Sequence, residues 1–492
     1  MINPIDRLVE WFAPAAAVRR AQARRVLAYY EAAKPSRLRA GKREAGSGNA
    51  AVAKAGAALR EQARHMEQNH DLARGVLDVL VRNTIGTGIG VESQPRRRNG
   101  EIHDELALQL QKLWKDWCKR PEVTWQHSWG SAERILARSW YRDGEVFAQR
   151  ILGTTPFLDH GTRAPYSLEL LEADLVPYEY NALDTPRVVQ GVEINGWGRP
   201  VGYYVYRNHP GELYRLTTLA DLKRLPADRM LHLKLIDRIR QLRGVSIFAA
   251  VLTRMEDLKD YEESERIAAK IAASMAAYIK KGAPDLYEPD NASTPRQMNF
   301  RPGIIFDDLR PGEEVGVIDT NRPNTNLSAH RDGQLRAIAA GTNTTYSSTS
   351  KNYNGTYSAQ RQELVEGWGA YQILAAEFIS RITQPVYEDL VKAALTARLL
   401  TLDADADPET LDDAIYIAPQ MPWIDPEKEA NAWAALEDRV YASGPEIIRR
   451  RGANPRDVLD QQQRWRREKA RRELDTPAAP APTEKPAEEQ VA

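Results

Sequence analysis

Apolar positions recur at helical spacing through the first part of the chain. Leu59, Met66, Leu72, Val76, Val79 and Leu80 predict a helix over 59–82 that ends near Gly86. Leu106, Leu110, Leu113, Trp114 and Trp117 make one stripe over 101–118, and a third helix is expected at about 128–142. Trp114, Trp117, Trp125, Trp129 and Trp140 are read as core packing, the usual use of aromatics at helical spacing. From Glu145 to about Lys234 the period shortens. EVFAQRIL, YSLELLEADLVP and MLHLKLI cluster β-favouring residues between Gly, Pro and Asn breaks, and NGWGRPVGYYVY reads as a hairpin. This is the pattern of a mixed α/β body.

At Gly244 the helical period returns. Ser246 is a candidate N-cap for a long helix from Ile247 to about Lys281, with Val251, Met255, Leu258, Ala268, Ile271, Met275 and Ile279 on one side. Such a helix of about 35 residues reaches about 50 Å. A Pro- and Gly-broken β-like stretch then leads to a short helix near 328–340. Residues 341–358, GTNTTYSSTSKNYNGTYS, hold no Leu, Ile, Val, Met or Phe. With no large aliphatic side chain to bury, they are expected to form an exposed loop. A long helix follows at about 359–382, breaks at Pro385 and resumes to about Leu400; a basic helix ends near Glu473. Residues 1–56 read as a flexible basic arm and 475–492 as a disordered Pro/Ala/Glu tail.

Hydrophobic residues make up 42% of the 492, enough for a substantial core, and roughly 150 residues per unit suggests about three folding units. No apolar run is long enough to span a bilayer, and the arginine cluster at 19–25 follows the apolar stretch where a secretory signal places its basic residues before it. Cys118 is the single cysteine, which excludes an intrachain disulfide and a cysteine zinc site and fits an intracellular chain. The 68 basic and 68 acidic residues cancel, but not locally. Residues 1–60 carry twelve Lys/Arg against four Asp/Glu, 402–440 carry two against eleven, and 447–475 carry ten against five. Charge in alternating blocks suggests surfaces that face different partners, with a solvated arm and ordinary polar faces as the plainer alternative.

Recognisable catalytic chemistry is sparse. The sequence has no phosphate-binding G-x-x-x-x-G-K-[ST] loop, no H-E-x-x-H helix and no G-x-S-x-G elbow. Gly86, Gly88 and Gly90 follow a helix instead of a strand, so they read as a turn. Asp403, Asp405 and Asp407 open like a calcium loop, but Pro408 and Ala414 stand where that loop needs Gly and Glu.

Three separated motifs change the picture. His232 precedes RIRQLRGVSIF at 238–248, SSTSKNYNGTYSAQRQELVEGW fills 347–368, and MPWIDPEKEANAW fills 421–433. Tyr141, Arg142, Asp143, Gly144 and Glu145 add a shorter match upstream. In this order and spacing the set resembles the lambda-type family of tailed-phage portal proteins, over about residues 60–470. The resemblance implies an α+β, portal-type subunit with a mixed α/β wing, long stem helices, a small β-containing clip and a helical crown. Carried onto this chain, 57–246 is wing, 247–340 is stem and clip, 341–358 is the tunnel loop, 359–400 is a long wing helix and 401–474 is crown. It also implies a homo-oligomeric ring, typically a dodecamer, at one capsid vertex, with double-stranded DNA passing through it during packaging and ejection. The implied partners are the terminase large subunit, the major capsid protein and head-completion or tail-connector proteins, with no membrane. The implied protein belongs to the virion, is assembled in the host cytoplasm, and is no enzyme, with no cofactor and no metal.

A channel that passes DNA must avoid register-locking phosphate contacts, because each phosphate neutralised tightens binding. Lys351 is the one cation of 341–358, and Lys351 with Asn352 is expected to touch the DNA backbone transiently. Tyr346, Tyr353 and Tyr357 offer polar aromatic edges beside them; the competing reading is a plain connection between helices. Arg238, Arg240 and Arg243 before Gly244 are expected to form a subunit or wing–stem joint through carboxylate pairs, against the alternative of an ordinary capped turn. Trp423 and Pro426 are expected to pack a crown strand against a helix at 428–440. The rival readings are a metal-dependent DNA-processing enzyme or packaging ATPase, and another minor capsid or scaffold protein.

Overall fold

The structure, a computed structural model, describes residues 11–16, 18, 46–213, 217–273, 277–281, 313–317, 327–422 and 425–472. Most of the expected arm, most of the expected clip, Trp423 and the tail at 475–492 lie outside them. The chain divides into Met1–Ala51 and Val52–Ala492. In the first unit residues 11–12 and 14–16 are helical.

Helix α1 (Gly48–Asn69) runs across the boundary at Val52, and the second unit continues with α2 (Asp71–Thr84) and a short strand β1 (Gly90–Ser93). Helices α3 (Asp104–Trp117) and α4 (Trp129–Asp143) follow. Histidines open two of these helices. The ring nitrogens of His70 and His103 accept the Leu72 and Leu106 amides at 3.3 and 3.4 Å, covering N–H groups that have no helical partner. Met66, Leu72, Val76, Val79 and Leu80 of the first expected stripe, and Leu106, Leu110, Leu113, Trp114 and Trp117 of the second, are buried. Trp114 stacks on Trp117 at 5.4 Å between ring centres, and Trp117 on Tyr166 at 5.5 Å. Trp125 departs from its expected core role: it sits exposed in a turn at φ +58°, under the Arg120 guanidinium.

The β-rich stretch forms two antiparallel sheets. β2 (Glu145–Leu152) lies between β3 (Tyr166–Leu171) and β8 (Met230–Lys234). β4 (Arg187–Val189), β5 (Val192–Ile194), β6 (Pro200–Tyr206) and β7 (Leu222–Pro226) pair in sequence order, with the expected hairpin as β5–β6. One large core joins α2, α3, α4 and one face of the three-stranded sheet to the later helices. A second, smaller core of Phe147, Val192, Tyr203, Val205 and Met230 lies between the sheets.

Beyond Gly244 the expected helix is interrupted. Residues 247–251 form turns, α5 covers Leu252–Ala273, and Ala277–Lys281 is strand β9, paired antiparallel with β10 (Glu313–Val317). The helix is therefore about 33 Å long instead of about 50 Å. Lys280 stands opposite Glu314 and Lys281 opposite Glu313 in the ladder. The partner strand lies too far along the chain for local periodicity to reveal. α6 (Leu327–Gly341) returns alongside α5.

A short helix α7 (Tyr346–Ser350) precedes α8 (Tyr357–Phe378). The expected break at Pro385 does not occur. A π-helical turn, Ile379–Thr383, joins α8 directly to α9 (Gln384–Thr396), and the Gln384 amide reaches the Ile379 carbonyl. Pro385 thus falls in the first turn of α9, where a missing N–H costs little. β11 (Ala414–Ile417) pairs with β1, and three helices end the described chain: α10 (Pro426–Asp438), α11 (Gly444–Arg450) and α12 (Pro455–Arg471). None of these helices, and no other among the described residues, is long and apolar enough to cross a membrane.

Candidate functional site

The segment 341–358 splits into a buried half and an exposed half. Thr342, Thr344, Thr345 and Thr349 are buried, against the expectation for a stretch without aliphatic side chains. For Thr342, Thr344 and Thr349 the hydroxyls supply the reason. Thr342 Oγ1 donates to the Ile338 carbonyl at 2.9 Å and meets Thr344 Oγ1 at 3.0 Å, and Thr344 meets Thr349 at 2.8 Å. A threonine whose hydroxyl is bonded can go inside, because the desolvation cost of the polar group is met. α8 closes over this knot with Gly367, where a Cβ would strike the Thr345 methyl.

Above the knot the chain turns outward at Lys351, which ends α7 in the left-handed region at φ +58°. Lys351, Tyr353 and Tyr357 are exposed on the same short turn. Asn352 and Tyr346 sit beneath and hold it: the Asn352 amide reaches the Tyr346 hydroxyl at 3.4 Å, and the Asn352 side-chain oxygen accepts the Asn354 amide at 3.0 Å. Tyr346 lies under the Arg336 guanidinium. Gln360 bonds the Tyr353 carbonyl from the first turn of α8. The five loop residues thus sort into three that face outward and two that support them.

The arginine motif builds a second feature. Arg238 and Arg240 are exposed in the loop after β8, whereas Arg243 is fully buried. Its Nε lies 2.8 and 2.9 Å from the two Glu145 carboxylate oxygens, and its Nη1 donates to the Gln190 carbonyl at 2.7 Å. The guanidinium also covers the Tyr178 ring at 4.2 Å. Glu145 accepts further from the Gly244 amide at 3.0 Å and lies 3.1 Å from His232 Nε2. Burial alone would raise the Glu145 carboxyl, but the charge of Arg243 and the bond to His232 hold it well below the usual carboxylate range. His232 is pushed down to about 4, chiefly by burial, with Lys234 and Arg243 adding to the effect. All three nitrogens of the guanidinium and both carboxylate oxygens have partners, the condition under which such a buried pair persists.

Gly144 and Gly244 let two backbone segments of the chain touch. Gly144 ends α4 at φ +87°, and a Cβ on Gly244 would overlap the Gly144 carbonyl. The tyrosine-to-glutamate match at 141–145 and the arginine motif at 238–248 are therefore one structural unit. Arg243, Gly244 and Glu145 carry it, with Arg238 and Arg240 exposed in the loop before it; no role for Glu145 was legible in the sequence. An acidic residue opening a strand whose next three residues, Val146, Phe147 and Ala148, are apolar was the available signal.

A neighbouring cluster ties α1 to α4. Arg64 grips Asp143 through Nε at 3.0 Å and Nη2 at 2.9 Å, while Arg138 and Arg142 both reach Glu67. In the core of α4, Glu133 accepts the Ile89 amide at 2.8 Å and the Thr383 hydroxyl of the π turn at 2.7 Å. Burial pushes its carboxyl up to about 8. The three aspartates with calcium-like spacing have other partners: Asp403 and Asp405 face His103, Asp405 bonds Arg97, and Asp407 caps a short 3-10 turn. Pro426 is exposed as the first residue of α10 and opens that helix instead of packing on it.

A profile of the lambda family of phage portal proteins matches residues 34–374, which include both the arginine joint and the threonine-backed loop. The chain belongs to that family. Among portal relatives, the probable portal protein of Halomonas phage phiHAP-1 is 25% identical over 435 residues, covering 86% of this chain and 82% of that one. Portal protein B of Escherichia phage lambda is 22% identical over 379 residues, covering 70% of each chain. A chain in the neck of an empty GTA particle is 14% identical with a TM-score of 0.43, covering 82% of this chain and 94% of that one.

Proposed function

We propose that this chain is the subunit of a portal ring, typically of twelve copies, set at one vertex of a phage capsid. Double-stranded DNA passes through its centre during packaging and ejection. The observation that carries this reading is the family match over 34–374, which takes in the arginine joint and the loop at 351–357. In this reading 57–246 serves as wing, α5 and α6 as stem, the β9–β10 pair as part of the clip, 359–400 as a long wing helix and 401–474 as crown. The terminase large subunit docks during packaging, and head-completion or tail-connector proteins follow it in a capsid built from the major capsid protein.

The loop would meet DNA through Lys351, Tyr353 and Tyr357, with Asn352 and Tyr346 as its props. One lysine per subunit gives weak phosphate contact, suited to sliding, because tight binding scales with the number of phosphates neutralised. Negative-stain images and mass measurement of the purified full chain test the ring. A particle of several hundred kilodaltons with a central hole is expected, and a homogeneous monomer that also fails to assemble with its shell proteins overturns the reading. Lys351→Ala combined with Tyr353→Ala is expected to leave rings intact and to lower packaged or retained DNA. Unaltered packaging by that double variant would remove the loop from the DNA path.

A further inference from the structure

The last three helices lack a core of their own. Neither α10 nor α11 has a buried residue, and α12 has only Pro455. Short exposed helices draw most of their stability from packing, so faces this open are waiting for a surface. Their ties to the rest of the chain are polar and local: Arg449 on α11 holds the buried Glu92 of β1 through two bonds at 2.9 and 3.2 Å, Lys115 reaches Asp457 at 2.9 Å, Arg456 reaches Asp104 at 3.3 Å, and Arg450 covers the Trp433 ring at 4.7 Å.

The open faces carry opposite charge. On α10, Glu427 and Asp438 are eleven residues apart, about three turns, and so share one side. On α12, Arg464, Arg467 and Arg471 follow i, i+3, i+7 spacing and form one stripe. Arg464 donates to the Asp460 carbonyl and Arg471 to Glu468, both within the helix. No ion pair joins α10 to α12 among the described residues of one chain. Exposed apolar residues flank both helices, with Leu459 and Trp465 on α12 and Val440 and Tyr441 just past α10. The region lies beyond residue 374, outside the family match.

We infer that the acidic side of α10 docks on the arginine stripe of α12 in a second copy of this chain. The inference rests on the ring reading. Repeated around an axis, one patch meeting a different patch on the next subunit is the head-to-tail contact from which closed rings are built. Charge complementarity favours a copy over nucleic acid as occupant, since the chain supplies an unpaired acidic partner for the stripe.

The test uses the full chain and charge reversal. Glu427→Arg with Asp438→Arg makes both helices basic; Arg467→Glu with Arg471→Glu makes both acidic. Each variant alone is expected to lower the assembled fraction about tenfold, because like charges then face each other across the contact. Mixing the two variants is expected to restore rings, as each reversed helix meets its complement on a neighbour. Misfolded chains would not be rescued in this way. Wild-type chain that forms no ring overturns the ring reading itself. Rings formed equally by wild type and both variants overturn the docking alone. So does rescue by the fourfold variant without rescue by mixing, which would put the contact inside one chain. Normal rings from the Arg467→Glu, Arg471→Glu variant, with loss of binding to a short DNA duplex, would make the stripe a nucleic-acid surface and overturn the docking as well.

Discussion

Arg243 and Glu145 depend on each other because both are withdrawn from water. Replacing Arg243 by Met is expected to cost about 3–5 kcal/mol, since it leaves a buried carboxylate without its cation. The shift of a urea unfolding midpoint measures this, and a loss under about 1 kcal/mol would mean that the carboxylate finds another counter-charge. Glu133 makes the opposite kind of prediction. Its carboxyl lies near 8 in the folded chain against 4.5 as reference. Below 4.5 both states hold the proton; between 4.5 and 8 only the folded state keeps it. Stability from this group is therefore present at low pH and lost as pH rises through that window. Glu133→Gln is expected to flatten this part of the stability–pH curve, and parallel melting curves for the two proteins would refute the assignment.

At the scale of elements, the threonine knot shows how a polar segment becomes a foundation. Thr344→Val is expected to cost about 1–3 kcal/mol, because Thr342 and Thr349 lose a buried partner. Amide exchange at 351–356 should quicken as well, since that turn stands on the knot. Unchanged exchange there would separate the knot from the loop. The Gly144–Gly244 approach is stricter, because its obstacle is backbone. Gly244→Ala is expected to yield little soluble chain, whereas Gly333→Ala, with open space around it, should express normally. The π turn before Pro385 belongs to this scale too: it shifts the proline into a first turn and brings Thr383 to Glu133.

For the whole molecule, the uneven burial of the chain predicts uneven protection. Amides of 426–471 should exchange quickly in a dissociated subunit and slowly in an assembled particle, while those of α2 and α9 stay protected in both. Equal protection of 426–471 in the two states would mean that assembly leaves these helices uncovered. The helical stripes, the hairpin at 195–206 and the charge blocks were legible in the sequence, because they follow from side-chain period and turn chemistry within a few residues. The motifs at 238–248, 347–368 and 421–433, taken together, likewise pointed to the portal family. What they could not disclose was contact across the chain. Glu145 and Arg243 are 98 residues apart, the β9 and β10 strands meet across a long connection, and Thr342, Thr344 and Thr349 go inside because Ile338 and one another receive their hydroxyls. Periodicity records which side of an element is apolar; only the folded chain decides which distant group completes a hydrogen bond or cancels a charge, and that completion determines what can be buried.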